Sequence, residues 1–395
     1  MYLKKIIYTI IITLFFLFGC SLKKDVYDLN QKMIHKNRSA IFTIWRIPVG
    51  IGSEKYYNKL SITYDNDIVY AADRKGIIKA ISLYSGKELW VVSLSSQILR
   101  SHISHTNELL SGGLVIYDNK LYIGTESGMV IALNKNNGKF LWDSKLSGEV
   151  IAKPVIANGM LLIHTENGML HALHHDTGYI KWSINLDHKQ RFAIRGKSSP
   201  AIYNDLIIIG ETHGQINAIM LKTGEIVWHD YISQITENNT IDQLHDINST
   251  PLIDYNSNIL FAIAYNGNLV AMDILSHKII WSDHIGSVHD MILTNDSIYL
   301  VDQNDIIYKI RKADGYIIWE NNSLLHCKLT APALSNNNLL IADNNGYLYV
   351  LDSNNGELKY SDQINKSGFL NKPVVLNNNK LLIQAKDGIL YYIQY

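Results

Sequence analysis

Apolar residues in this chain fall into short runs separated by Gly, Asn, Asp and Thr, and the spacing of those runs repeats. The segments LYIGTESGMVIALNKNNGKFLW (121–142), LLIHTENGMLHALHHDTGYIKW (161–182) and IIIGETHGQINAIMLKTGEIVW (207–228) share one layout. Each holds an apolar run, a Gly turn, a second apolar run, a Thr-Gly or Asn-Gly turn, and a strand carrying Trp. The layout recurs at 69–90, 260–281 and 298–319, with a weaker copy at 339–360 that ends in Tyr360. Runs this short, rich in β-branched and aromatic residues and bounded by turn formers, predict antiparallel strands. Four strands fit each unit; in one unit they lie near KPVIAN, LLIHTE, MLHALHH and YIKWSINL. Four-stranded units at this spacing predict the blades of a β-propeller.

The tryptophans set the blade count. All seven, Trp45, Trp90, Trp142, Trp182, Trp228, Trp281 and Trp319, occupy the same place in the repeat, and Tyr360 takes an eighth. Trp45 lies in IFTIWRIPVG, a fourth strand with no first three before it. The C-terminal NKPVVLNNNKLLIQAKDGILYYIQY supplies three strands with no fourth. The N-terminal strand is therefore expected to complete the last blade, closing an all-β, eight-bladed propeller and protecting its sheet edges. Each indole is expected to dock between neighbouring blades. At about 150–250 Å² per aromatic and about 25 cal/mol/Å², that is roughly 4–6 kcal/mol of gross burial each, an upper bound.

The repeat also shows where the chain departs from itself. From the blade-ending aromatic to the proline that opens the next unit there are 12 positions for Trp142–Pro154 and 13 for both Trp319–Pro332 and Tyr360–Pro373. Trp182–Pro200 takes 18 and Trp228–Pro251 takes 23. Insertions at one place in successive repeats lie side by side on one face. The first long connection carries Phe192, Ile194 and Arg195; the second carries Asp242, Asp246 and Asn248. Apolar anchors and an arginine beside an acidic loop suit a protein interface. Alternatively, Phe192 and Ile194 pack beneath the loop and Arg195 pairs with Asp246. A third long connection, between Trp90 and Leu114, suggests no specific role.

The N-terminus reads differently. A basic start precedes an apolar run, Ile6–Gly19, that ends at Cys20. The run is short for a bilayer crossing and fits a signal sequence better. LFGC resembles the lipobox of bacterial lipoproteins, which implies cleavage and acylation of Cys20; Ser21 after it implies the outer membrane. The expected organisation is a signal peptide at 1–19, a lipidated polar tether at 20–40 and the propeller at 41–395.

Composition narrows the chemistry. Lys plus Arg and Asp plus Glu both number 36, so there is no basic field for nucleic acid. Two cysteines exclude a disulfide framework. His171, His174 and His175 do not converge as metal ligands when placed on strands and read as surface or turn residues. Glu166, Glu211 and Asp387 read as turn residues, and Cys327 as a buried thiol. No phosphate loop or nucleophile elbow is present.

The A-L-x…G-x-x-x-W signature resembles the tryptophan-docking repeat of quinoprotein dehydrogenases. Enzymes of that type use pyrroloquinoline quinone, calcium, a catalytic acid and usually adjacent cysteines. This chain has neither adjacent cysteines nor a CxxCH haem site, so no catalytic role, cofactor or metal is expected. AYNGNLVAMD (264–273), IYLVDQND (298–305), SGF (367–369) and LLIQAKDG (381–388) are more specific. With the lipobox, they resemble the BamB family of outer-membrane lipoproteins. The resemblance implies a non-enzymatic scaffold that faces the periplasm and binds POTRA domains of BamA in the β-barrel assembly machinery. It also implies partner contacts at Phe192, Ile194, Arg195, Asp246 and Asn248. The family has leucine at the first two positions and aspartate at the last, so Asn248 lacks the family's charge. An alternative role is direct capture of unfolded barrel precursors by strand addition to a blade edge.

Overall fold

A computed structural model describes residues 41–53, 56–94, 108–186, 193–233, 244–377 and 379–395. Among them are eight four-stranded antiparallel sheets arranged as the blades of a ring, with one short 3₁₀ turn, Thr212–Gly214, as the helical content. Blades 1 to 7 follow chain order, each a simple meander; blade 1, for example, comprises Thr63–Asp65, Ile68–Ala72, Ile77–Ser82 and Glu88–Ser93. Blade 8 combines Val374–Leu376, Lys380–Gln384 and Ile389–Gln394 with Phe42–Pro48 as its outermost strand. Phe42 pairs with Gln394 and Pro48 with Ile389, so the N-terminal strand closes the ring as the repeat predicts.

The first strand is short in every blade but blade 2, where Leu110–Tyr117 has eight residues, and first strands of neighbouring blades contact one another near the axis, as between blades 1 and 2, 4 and 5, 5 and 6, and 7 and 8. The apolar clusters lie between blades. One joins Tyr70 and Ile78 of blade 1 to Leu121 and Ile131 of blade 2; another joins Leu162 of blade 3 to Ile207 of blade 4. Stability is therefore carried blade to blade, as in other repeat architectures.

The tryptophans dock as expected. Each of six indole N–H groups donates to a carbonyl just after the third strand of the next blade. These bonds run from Trp45 to Leu83, Trp90 to Lys135, Trp142 to His175, Trp182 to Leu221, Trp281 to Lys312 and Trp319 to Ser353, at 2.7–3.2 Å. The same indoles lie on the glycine of the following turn. At Gly178, for instance, a Cβ would stand 2.4 Å from Trp142 Cε3. That close approach, with a left-handed φ of 72°, is why the turn carries glycine. Blade 5 departs from the rule: His277 stands there at φ 58°, with its ring 4.5 Å from that of Trp228.

Strand alternation fixes the two faces of the ring. Connections from one blade to the next and the turns between second and third strands lie on one face. The described residues of both long connections, 193–199 and 244–250, are on that face. The signal and tether expectations for residues 1–40, including Cys20, lie outside the described residues, as do residues 95–107 of the third long connection.

Candidate functional site

The two long connections lie side by side. The Asp246 carboxylate accepts the Ile194 N–H at 2.6 Å through one oxygen and the His213 N–H at 3.2 Å through the other. The Asn248 side-chain amide faces the Ile194 carbonyl at 3.5 Å. Ile194, Arg195, Asp246 and Asn248 are thus brought together, while Phe192 and Asp242 lie outside the described residues. The four do different work. Asp246 is 1 % exposed and Asn248 3 % exposed, so their polar atoms hold backbone in place. Ile194 is half-buried, and the Arg195 side chain is 39 % exposed.

Arg195 pairs with Glu149, Nη2 to Oε1 at 2.7 Å, rather than with Asp246. Its Nη1 donates to the Tyr57 carbonyl at 3.0 Å, and Glu126 lies 3.8 Å away. Burial works against the guanidinium charge, but Glu149, Glu126 and Glu166 together hold it further into the protonated state. At this exposure the ion pair contributes little to stability, on the order of 1 kcal/mol or less; its effect is to aim the guanidinium. Glu166 accepts the Gly196 N–H. Burial raises its carboxyl above the usual range, partly offset by that N–H and by Lys197.

Gly196 adopts φ 130°, and a Cβ there would stand 3.4 Å from Tyr57 Oη and from Asn248 Nδ2. Gly196→Ala is therefore expected to destabilise the fold by about 1–2 kcal/mol, read as a lower thermal midpoint. A midpoint at or above that of the parent would contradict this account of the loop.

Beneath the described part of the first connection lies a buried polar trio. His164 Nε2 meets Glu211 Oε1 at 2.5 Å, Lys197 Nζ meets Glu211 Oε2 at 2.8 Å, and His164 Nδ1 meets the Ser198 carbonyl at 2.9 Å. Burial alone would raise the Glu211 carboxyl, but His164 and Lys197 overcome it and hold it down at about 2. Glu211 is a turn residue, as expected, its carboxylate accepting the Thr212 N–H at the start of the Thr212–Gly214 turn, and in addition it anchors Lys197 and His164 in the core. His171 also differs from expectation: it is buried, with Nδ1 2.7 Å from Ser183 Oγ. Cys327 is buried, as expected.

Lys59 completes the frame. From the start of blade 1 its Nζ crosses the axis and donates to the carbonyls of Lys197 and Asn248, both at 2.9 Å. Burial lowers its pKa, against the pull of Asp290 and Glu166. One residue thus ties both long connections to the far side of the ring. Lys59 lies four positions before the first strand of its blade, whereas Lys153 and Lys372 lie two before theirs, so aligning the repeat units puts Ser61 at their position and gives no signal for Lys59. Glu149 likewise carries no sequence signal beyond lying in a connection of ordinary length.

A family profile described as outer membrane protein assembly factor BamB matches residues 62–321. The chain is 39 % identical to the outer membrane protein assembly factor BamB of Salmonella typhimurium over 396 residues, covering all of both chains. Among solved structures, BamB from Moraxella catarrhalis aligns with a TM-score of 0.78 at 23 % identity, covering 90 % of this chain and all of that one. The quinohemoprotein alcohol dehydrogenase of Comamonas testosteroni aligns at 0.67 and 13 % identity, covering 89 % of this chain and 76 % of that one. At that identity the likeness is one of fold.

Proposed function

The chain belongs to the BamB family of outer-membrane protein assembly factors, and from that premise we propose that it is a non-enzymatic scaffold whose face around Arg195 docks POTRA domains of BamA. In this reading Cys20 carries the lipid anchor, and the propeller hangs from the outer membrane into the periplasm. The observation that carries it is the preorganised, exposed guanidinium of Arg195, held by Glu149 and Tyr57 on a loop clamped by Asp246. A fixed arginine beside an apolar side chain has the composition of an interface anchor, and its low mobility reduces the entropic cost of association. Asp246 and Asn248 then act by shaping the loop, which explains how asparagine can stand at position 248: an amide can face the Ile194 carbonyl as a donor.

Arg195→Glu is expected to weaken BamA binding at least tenfold while leaving the thermal midpoint nearly unchanged, as measured by co-purification and by titration with the purified POTRA tandem. Wild-type affinity in that variant would remove the assignment.

A second reading, strand addition by unfolded barrel precursors, has its own support. Outermost strands present exposed aliphatic residues along their edges, such as Leu89 and Val91 in blade 1, Val227 in blade 4 and Ile279 and Ile280 in blade 5. Crosslinkers at Val227 that trap nascent barrels, with none trapped from Arg195, would favour this role for the outer rim.

A further inference from the structure

Between the closing strand and blade 1, residues 49–53 and 56–60 lie on the same face, and Tyr57 touches Arg195 directly. The Tyr57 carbonyl is the Arg195 acceptor described above. One residue earlier, Tyr56 lies under the Arg74 guanidinium, whose carbon sits 4.1 Å from the ring centroid. Arg74 makes a two-pronged pair with Glu126 at 2.7 and 2.9 Å, and Glu126 is 3.8 Å from Arg195. Tyr57, Arg195, Glu126, Arg74 and Tyr56 therefore form a closed circuit. Ile51 joins it through the turn that holds Arg74: its N–H donates to the Asp73 carboxylate at 3.0 Å, and the Arg74 N–H donates to the Gly52 carbonyl at 3.1 Å.

Residues held this firmly are nonetheless open to solvent. Ile51 is 49 %, Tyr56 40 % and Tyr57 37 % exposed. Tyrosine and arginine are the side chains that dominate protein interfaces, and here their positions are fixed before any partner arrives. Continuity points the same way. Among the described residues of the long connections Asp246 and Asn248 are buried, and the exposed surface at Arg195 continues through Tyr57 to Tyr56 and Ile51. A stable interface takes about 800 Å² from each partner, and this segment adds to what the long connections present.

We infer that Ile51, Tyr56 and Tyr57 form a second wall of the Arg195 surface, so that one bound domain spans the blade 3–4 connection and the ring-closing segment together. This rests on the docking reading above and identifies a further part of the same site. The partner surface that fits it presents aliphatic or aromatic side chains to the two tyrosines, with polar groups around them.

The test uses the full-length lipoprotein in its assembly complex. A photocrosslinking residue at position 56 is expected to trap BamA, and one at position 179 on the opposite face is not. In titrations, the double variant Ile51→Ser/Tyr56→Ser is expected to bind at least tenfold more weakly, and Tyr179→Ser to stay within twofold of the parent. If the double variant binds like the parent while Arg195→Glu has lost binding, the second wall is overturned and the docking site stands. If Arg195→Glu binds normally, both fall. Should the double variant fold poorly, the position 56 crosslink decides: its absence in a complex that still assembles overturns the wall.

Discussion

Glu211→Gln is expected to lower stability by about 3–5 kcal/mol, because it leaves Lys197 buried without its counter-charge and takes the carboxylate from His164. Both nitrogens of His164 face acceptors, Ser198 O and Glu211 Oε1, and Lys197 donates to the other carboxylate oxygen. All three side chains are buried, so bulk solvent does not screen the lost charge. The pH dependence gives a separate reading. The Glu211 carboxyl is held at about 2, below its ordinary 4.5. A carboxyl depressed on folding contributes stability that is present above the unfolded value and is lost as pH falls through the folded one. The contribution, on the order of 3 kcal/mol, should therefore be complete above about pH 5 and decline toward pH 2. Chemical denaturation of the parent and of Glu211→Gln at a series of pH values checks both statements. A difference between them that stays constant from pH 7 to pH 3 would show that Glu211 is not the ionised anchor described.

The second large effect is expected from Trp142→Ala, at about 3–5 kcal/mol. Trp142 is buried between blades 2 and 3, flat on Gly178, with its N–H on the His175 carbonyl. That carbonyl also accepts the Tyr122 hydroxyl at 2.9 Å, so truncation leaves both a cavity and a weakened turn. Trp142→Phe keeps much of the volume but forfeits the N–H donor, and should cost less than Ala: about 1 kcal/mol for the one hydrogen bond plus the loss from the smaller ring. Urea midpoints for the parent and the two variants should fall in that order. Equal losses for Ala and Phe would mean that the hydrogen bond, not the packing, holds the blades together.

The blades were legible because their repeating unit is local: turn glycines, apolar runs and an aromatic at fixed spacing specify four strands without reference to distant contacts. Closure followed from arithmetic on Trp45 and the three unpaired C-terminal strands. The juxtaposition of the two long connections followed as well, since adjacent repeats place equivalent insertions side by side. The side-chain pairing around Arg195 was not legible. Asp246 was a natural partner by charge, yet its two oxygens are occupied by the N–H groups of Ile194 and His213, and Glu149 takes the arginine from an ordinary-length connection. The burial of Glu211 and His171 was not legible for a related reason: Glu211 sits at a turn and His171 inside a strand, and only the packing of neighbouring blades decides whether such a polar side chain meets water or a buried partner.

The closing strand has a mechanical consequence. Phe42–Pro48 is both the outer edge of blade 8 and the strand through which the chain N-terminal to it enters the ring, and its Trp45 is pinned to blade 1 through the Leu83 carbonyl. A pull on the N-terminus is therefore borne first at Phe42, where the ladder with Gln394 begins. Force directed away from the sheet would open that ladder one pair at a time, whereas force along the strand would load the pairs together and the Trp45 contact with them. The ring is in this sense a latch, and how firmly it stays shut under load depends on the direction from which the chain is held.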